Sequence, residues 1–215
     1  MNLINYFYFF KNVLTPKFCD DVIKYGEQKF NQIALTGAVE LEGRDLNKRP
    51  ITRKELEALR KVRDSNISWL DDTWIYREIL PYVREANTKA GWNFQLDTAE
   101  HCQFTRYGIG QFYDFHCDSF KEPYNKPDSP VHHGKIRKLS VTCNLSHPED
   151  YQGGELEFHL NDPSKSKKVN LYKCKEIAPR GSLVVFPSFV YHKVHPVVKG
   201  KRYSLVMWNT GAPFK

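Results

Sequence analysis

Hydrophobic positions along the first ninety or so residues recur with the period of a helix. In "TPKFCDDVIKYGEQKF" (residues 15–30), Phe18, Val22, Ile23 and Phe30 fall on one face, Thr15 is a candidate N-cap and Pro16 takes the first helical position. A second helix is predicted from Thr52, which has capping-box spacing to Glu55, through "KELEALRKVRD". A third covers residues 73–90, with Ile75, Ile79, Val83 and Ala90 in helical period and Pro81 expected to kink or restart it.

After Gly91 the period changes to two. The segments "NFQLDT", "EHCQFTRY", "QFYDFH", "IRKLSVTCNLS", "GELEFHL", "KVNLYKCKEI", "SLVVFPS" and "RYSLVMWN" read as strands with turn chemistry between them. Short strands following helices predict a mainly β fold with N-terminal helices, its core a barrel or double-sheet jelly roll. One domain accounts for residues 1–215, with 1–91 as a helical support region and 92–215 as the β core. Residues 119–135, "SFKEPYNKPDSPVHHGK", show no periodicity and read as one long loop.

Composition narrows the class. The chain is 40% hydrophobic and 27% charged, as in soluble globular proteins, and its 14% aromatic content suits a β core. The apolar start "MNLINYFYFF" lacks the basic residues and cleavage site of a signal peptide, and no apolar run is long enough to span a bilayer. The five cysteines are odd in number and form no CxxC pair, so free thiols in the reducing cytoplasm are expected, with no membrane partner. A net charge of +7 gathers in residues 44–64 and 165–180, which read as solvated faces or as a surface for an acidic partner. Nucleotide-binding glycine loops and the GxSxG nucleophile elbow are absent from the sequence.

The chemistry-bearing signal is "QFYDFHCD". His116 and Asp118, two apart on an extended segment, project to one side and supply two-thirds of a facial triad for non-haem Fe(II). Asp114 offers a second pairing with His116 from the other direction, and Cys117 should point away. Downstream, "PSFVYHKVHPVVKGKRYSLVMW" holds His192 and His195, either of which can complete the triad. A triad of this kind leaves three positions open, two of which a 2-oxo acid can chelate, leaving one for dioxygen. The distal carboxylate of such an acid needs a fixed cation, and Arg202 is the inward-facing strand cation of this region.

These segments resemble the Fe(II)- and 2-oxoglutarate-dependent dioxygenases, in the prolyl-4-hydroxylase-like branch and its PKHD-type relatives. "QFTRYGIGQFYDFHCD" resembles the family's tyrosine, glycine turn and HxD; "KLSVTCNLSHPEDYQGGELEF" its core strand and Gly-Gly-Glu-Leu hairpin; "APRGSLVVFPSFVYHKVHPVVKGKRYSLVMW" its distal histidine and basic residue. The resemblance implies a double-stranded β-helix, a cupin-like jelly roll, packed against a helical layer. It implies iron held by His116, Asp118 and His192, and 2-oxoglutarate anchored by Arg202 with Tyr107 in support. It selects His192 because Pro196 and Arg202 follow at the family's spacing, and it leaves His195 at the rim. Trp208 and Ser204 share a face with Arg202, Trp208 matching a tryptophan near the substrate entrance. The implied reaction is hydroxylation of a C–H bond, with dioxygen consumed, succinate and CO2 released, and ascorbate as an optional auxiliary. The implied substrate is a prolyl or other residue of a peptide or protein; a small molecule, a nucleic acid or a silent binding module are the alternatives. His132 and His133 read as exposed or lid residues, and the oligomeric state is left open.

Overall fold

A computed structural model describes residues 3–29, 32–33, 52–160 and 170–214. After a short strand, β1 (Tyr8–Phe10), comes the first predicted helix, α1 (Pro16–Gln28), whose N-cap Thr15 accepts from the Phe18 N–H at 3.1 Å. Phe18, Cys19, Val22 and Gly26 form its buried stripe. The Phe30 end of the predicted stripe, like basic residues 44–51 and 165–169, lies outside the described residues.

Past β2 (Gln32–Ile33), the Thr52–Glu55 capping box opens α2 (Arg53–Arg60). This helix stops at Arg60 instead of running on through Asp64. The chain forms β3 (Arg63–Asp64) and β4 (Asn66–Leu70), and β4 pairs antiparallel with β6 (Cys102–Tyr107). Burial of Ile67 and Leu70 under that pairing outweighs the weak helical preference of a charged segment. The described residues before Gly91 thus supply four strands as well as helices.

The third helix, α3 (Thr73–Lys89), is continuous through Pro81. Pro81 is exposed, so it removes one helical hydrogen bond without breaking the packed face. That face is Ile75, Ile79, Val83 and Ala86; Ala90, predicted to belong to it, caps the helix instead.

The strands of the second half are β5 (Thr98–Ala99), β6, β7 (Phe112–His116), β8 (Ile136–Asn144), β9 (Tyr151–Gly153) and β10 (Leu156–Leu160). They continue with β11 (Asn170–Lys173), β12 (Leu183–Pro187), β13 (His192–Val194), β14 (Val197–Gly200) and β15 (Arg202–Gly211). The strand predicted over 93–98 shrinks to β5, and the one predicted over 168–177 becomes β11 and a 3₁₀ turn at Lys175–Ile177.

The larger sheet runs β1-β12-β8-β15-β6-β4-β2, with β5 on the end of β15; the smaller runs β11-β10-β13-β7-β3, and β14 pairs with β9. This is the predicted mainly β jelly roll.

Alternation along the central strands sorts the two faces. Leu183 and Val185 of β12, Leu139, Val141 and Cys143 of β8, and Leu205 and Met207 of β15 pack with α1 and α3 in one apolar core. Val184 and Phe186 turn the other way, joining Phe158, Val194 and Tyr107 in a second cluster. Ser140, Thr142, Gln103, Thr105, Arg202 and Ser204 are also buried, at the parity opposite to the helix-facing residues of their strands. A polar interior of that kind needs partners.

Candidate metal centre

The register of β13 against β7 sets His192 opposite His116. Asp118 follows β7 by two residues, and its N–H donates to the Ser188 carbonyl at 2.8 Å, tying it to the turn after β12. One ligand atom from each of His116, Asp118 and His192 lies within 4.8 Å of the other two. Asp118 Oδ1 is 3.7 Å from His116 Nε2, and Oδ2 is 3.7 Å from His192 Nε2.

Both imidazoles are aimed by their other nitrogen. His116 Nδ1 donates to the Asp114 carbonyl at 2.8 Å and His192 Nδ1 to the Val190 carbonyl at 3.0 Å. A carbonyl can only accept, so Nδ1 carries the proton and the Nε2 lone pairs face the carboxylate. Tyr113 stacks on the His116 ring at 3.5 Å and Phe186 meets His192 edge-on at 4.7 Å, which limits rotation. Asp114 serves through its backbone; its own carboxylate is turned to the Phe115 N–H at 2.8 Å.

Electrostatics match this arrangement. Burial, with His192 nearby, lowers the His116 pKa to about 3, so the ring is neutral near pH ~7. Burial works against the charge of Asp118, but His192, His116 and Arg137 outweigh it and hold the carboxyl below its usual range. Asp118 Oδ2 is buried with no hydrogen-bond partner among the described residues. Two imidazole lone pairs and an orphaned carboxylate oxygen facing one another are all acceptors, and a divalent cation resolves that conflict. The donor set, two nitrogens and one carboxylate, suits Fe(II).

Arg202 opens β15 opposite Tyr107 of β6, its guanidinium carbon 5.7 Å from that ring. It is 2% exposed, and its Nη1 has no partner among the described residues, a buried cation that calls for an anion. His116, Asp118, His192, Arg202 and Tyr107, the five residues expected from the sequence, line one cavity together with Ser204 and Trp208. His195 does not join them. Its Nε2 lies 3.2 Å from Glu157 and its N–H donates to the Glu155 carbonyl.

Further residues, one lining the cavity and others bracing its wall, were not foreseen. Arg63, on β3, donates from Nη2 to Gln103 Oε1 at 2.7 Å and lies 4.4 Å over the Tyr113 ring. Arg137, on β8, makes two hydrogen bonds to Glu100 at 2.8 and 2.7 Å and stacks on Trp208 at 4.0 Å. Glu100 Oε1 also accepts from Tyr124 Oη at 2.8 Å, which anchors the 119–135 loop to the cavity wall. Arg137 has the parity of the helix-facing Leu139 and Val141, and the register with β15 shifts between Leu139 and Arg137, so strand alternation gave no signal for it.

Comparison with known proteins adds an independent line. The family model described as the 2OG-Fe(II) oxygenase superfamily matches residues 102–210. A PKHD-type hydroxylase of Pseudomonas fluorescens is 36% identical over 105 residues, covering 48% of this chain and 40% of that protein. A PKHD-type hydroxylase of Shewanella baltica is 38% identical over 106 residues, with 49% and 40% covered. The aligned region therefore spans about 40% of the length of these curated relatives.

Among solved structures, a viral collagen prolyl hydroxylase from Paramecium bursaria Chlorella virus-1 superposes with a TM-score of 0.61 at 18% identity, covering 96% of this chain and 97% of that one. A Pseudomonas putida prolyl-4-hydroxylase gives 0.58 at 21% identity, with 96% and 94% covered. At these identities the likeness is one of fold.

Proposed function

This chain belongs to the 2OG-Fe(II) oxygenase superfamily, and from that premise we propose that it is an Fe(II)- and 2-oxoglutarate-dependent hydroxylase. Its substrate on this reading is a prolyl or other residue of a peptide or protein. The observation that carries the reading is a single cavity holding His116, Asp118 and His192 together with Arg202.

In this reading His116, Asp118 and His192 hold the metal through Nε2, a carboxylate oxygen and Nε2. The bound iron and 2-oxoglutarate supply the oxidising chemistry, by which dioxygen hydroxylates a C–H bond while the 2-oxo acid leaves as succinate and CO2. The chain's own residues select, orient and shield. Arg202 receives the distal carboxylate as a fixed charge-assisted donor, and Tyr107, cross-strand from it, packs and supports the same end. Phe158, Phe186 and Val194 keep water from the inner wall. Arg137, held by Glu100 against Trp208, gives the cavity a rigid cationic and aromatic border.

Peptide substrates are favoured by the prolyl hydroxylases whose fold the chain shares, one of them, from Trichoplax adhaerens, solved with a peptide fragment. Residues 1–215 act as one catalytic unit in this reading. All five cysteines are free thiols, consistent with action in a reducing compartment such as the cytoplasm. Among the described residues no helix is long and apolar enough to cross a membrane.

The test begins with Fe(II) and 2-oxoglutarate added without oxygen, where a visible charge-transfer band is expected. Oxygen is then admitted with pools of peptides, metabolites or nucleic acids, and succinate is measured. A peptide pool should accelerate its release; acceleration by another pool alone rejects the peptide reading, and no band with no bound iron rejects the enzyme.

A further inference from the structure

A second cavity, of ≈ 200 Å³, shares with the one holding the candidate metal ligands only Leu156 and Arg202 among the described residues. It is built from the β9–β10 turn, the end of β11 and the following 3₁₀ turn, and none of the three candidate metal ligands lines it. Glycine opens it. Gly154 has φ +65°, and a Cβ there would lie 2.8 Å from Arg202 Cδ, so any side chain would press on the arginine stem that forms the wall.

The lining has two characters. Leu156, Ile177 and Ala178 offer hydrocarbon, with the buried Cys174 beside them. Lys173 and Lys175 are exposed cations at the same cavity, and Arg202 stands behind it. The carboxylate among the described lining residues, Glu155, reaches Lys173 only at 3.9 Å, the outer limit of an ion pair. Among the described lining residues, Lys173 and Lys175 against Glu155 leave the mouth of the cavity positive apart from Arg202, whose guanidinium serves the neighbouring site. An anion with a hydrocarbon body satisfies both halves. A bare dianion would have to shed its water against Leu156 and Ile177 without compensation.

We propose that this cavity is a binding site for a small organic carboxylate, separate from the metal centre and from the cosubstrate position. The carboxylate sits against Lys173 and Lys175, and the hydrocarbon part covers Leu156, Ile177 and Ala178. Nothing in this assignment depends on iron or on the proposed reaction, so it is tested on the metal-free chain.

The experiment is titration of the full chain with hexanoate, followed by backbone amide NMR, without and with saturating 2-oxoglutarate and Zn(II). Saturable shifts centred on Gly153, Gly154, Cys174 and Lys175 are expected in both conditions. Hexanol, which has the same hydrocarbon tail without the charge, should bind about tenfold more weakly, the loss of one charge-assisted contact. The paired substitution Lys173→Glu and Lys175→Glu should weaken hexanoate similarly while the melting temperature holds, since both side chains are exposed. Shifts confined to residues around His116 and abolished by 2-oxoglutarate would place the anion in the cosubstrate position and overturn the proposal. Absence of saturation, or hexanol binding as tightly as hexanoate, would do so too.

Discussion

The two histidines of "VYHKVHP" differ in what their rings touch. His192 carries an Nδ1 proton committed to a backbone carbonyl and an Nε2 facing Asp118, whereas His195 is directed at Glu157. Losing even a group that supports a ligand weakens metal binding by about 10–100-fold. His192→Ala should therefore abolish iron retention and 2-oxoglutarate turnover, while His195→Ala keeps both; iron content after desalting separates them, and the reverse pattern refutes the assignment.

His116 yields a pH prediction. An unfolded histidine protonates near pH ~6.5, whereas the folded ring does so only near about 3. Between those values the unfolded state binds the extra proton, so stability falls as pH drops through that window and is fully present above it. Melting curves of metal-free protein across that range should show the decline, and His116→Asn should flatten it. Parallel slopes for the two proteins would exclude His116 as the cause.

At the scale of elements, the apolar period was most reliable where one face is buried over several turns or strands. α1 and α3 follow it closely, and so do β8, β12 and β15, each with one face on the helical core and the other turned inward. It failed where partner strands decide. The predicted helix runs through Asp64, yet the chain leaves it at Arg60 and β4 is drawn into the sheet by β6, a strand more than thirty residues away.

Gly26 shows the same contest within a helix. Glycine costs a helix interior about 1 kcal/mol relative to alanine, but a Cβ at residue 26 would stand 2.4 Å from the Phe104 ring. Gly26→Ala is expected to destabilise the protein by about 1–3 kcal/mol through overpacking, despite the better propensity. Chemical denaturation measures it, and a stabilised variant would mean that α1 shifts freely on the sheet.

Over the whole molecule, the cavity wall at Trp208 is braced by contacts between segments far apart in the chain. Glu100, just before β6, meets Arg137 at the start of β8 and Tyr124 in the long loop, and Arg137 rests on Trp208 near the end of β15. Burial disfavours the Arg137 charge, but hydrogen bonding to Glu100 raises its pKa above the ordinary value. The side chains of this pair are 11% and 14% exposed, so Glu100→Gln should cost about 3 kcal/mol, near the lower end for breaking a buried pair. Tyr124 loses its charged acceptor in the same variant, so faster hydrogen exchange in residues 119–135 is expected alongside; unchanged exchange would mean the loop is held elsewhere.

Local order determined a good deal by itself. The HxD pair, the ten-residue step from His192 to Arg202, the period of α1 and α3, and the alternation of the long strands are all short-range facts. Each is written within one or two elements, where side-chain direction follows backbone period. Tertiary structure decided the rest. The pairing of β13 with β7 turns a distant histidine into a neighbour of His116, and the pairing of β15 with β6 sets Arg202 beside Tyr107. Arg63 joins the cavity, Glu100 and Arg137 brace its Trp208, and β4 joins the sheet, because strand order brings segments remote in sequence together. No local pattern encodes that order, since it depends on which pairings bury the most surface at once.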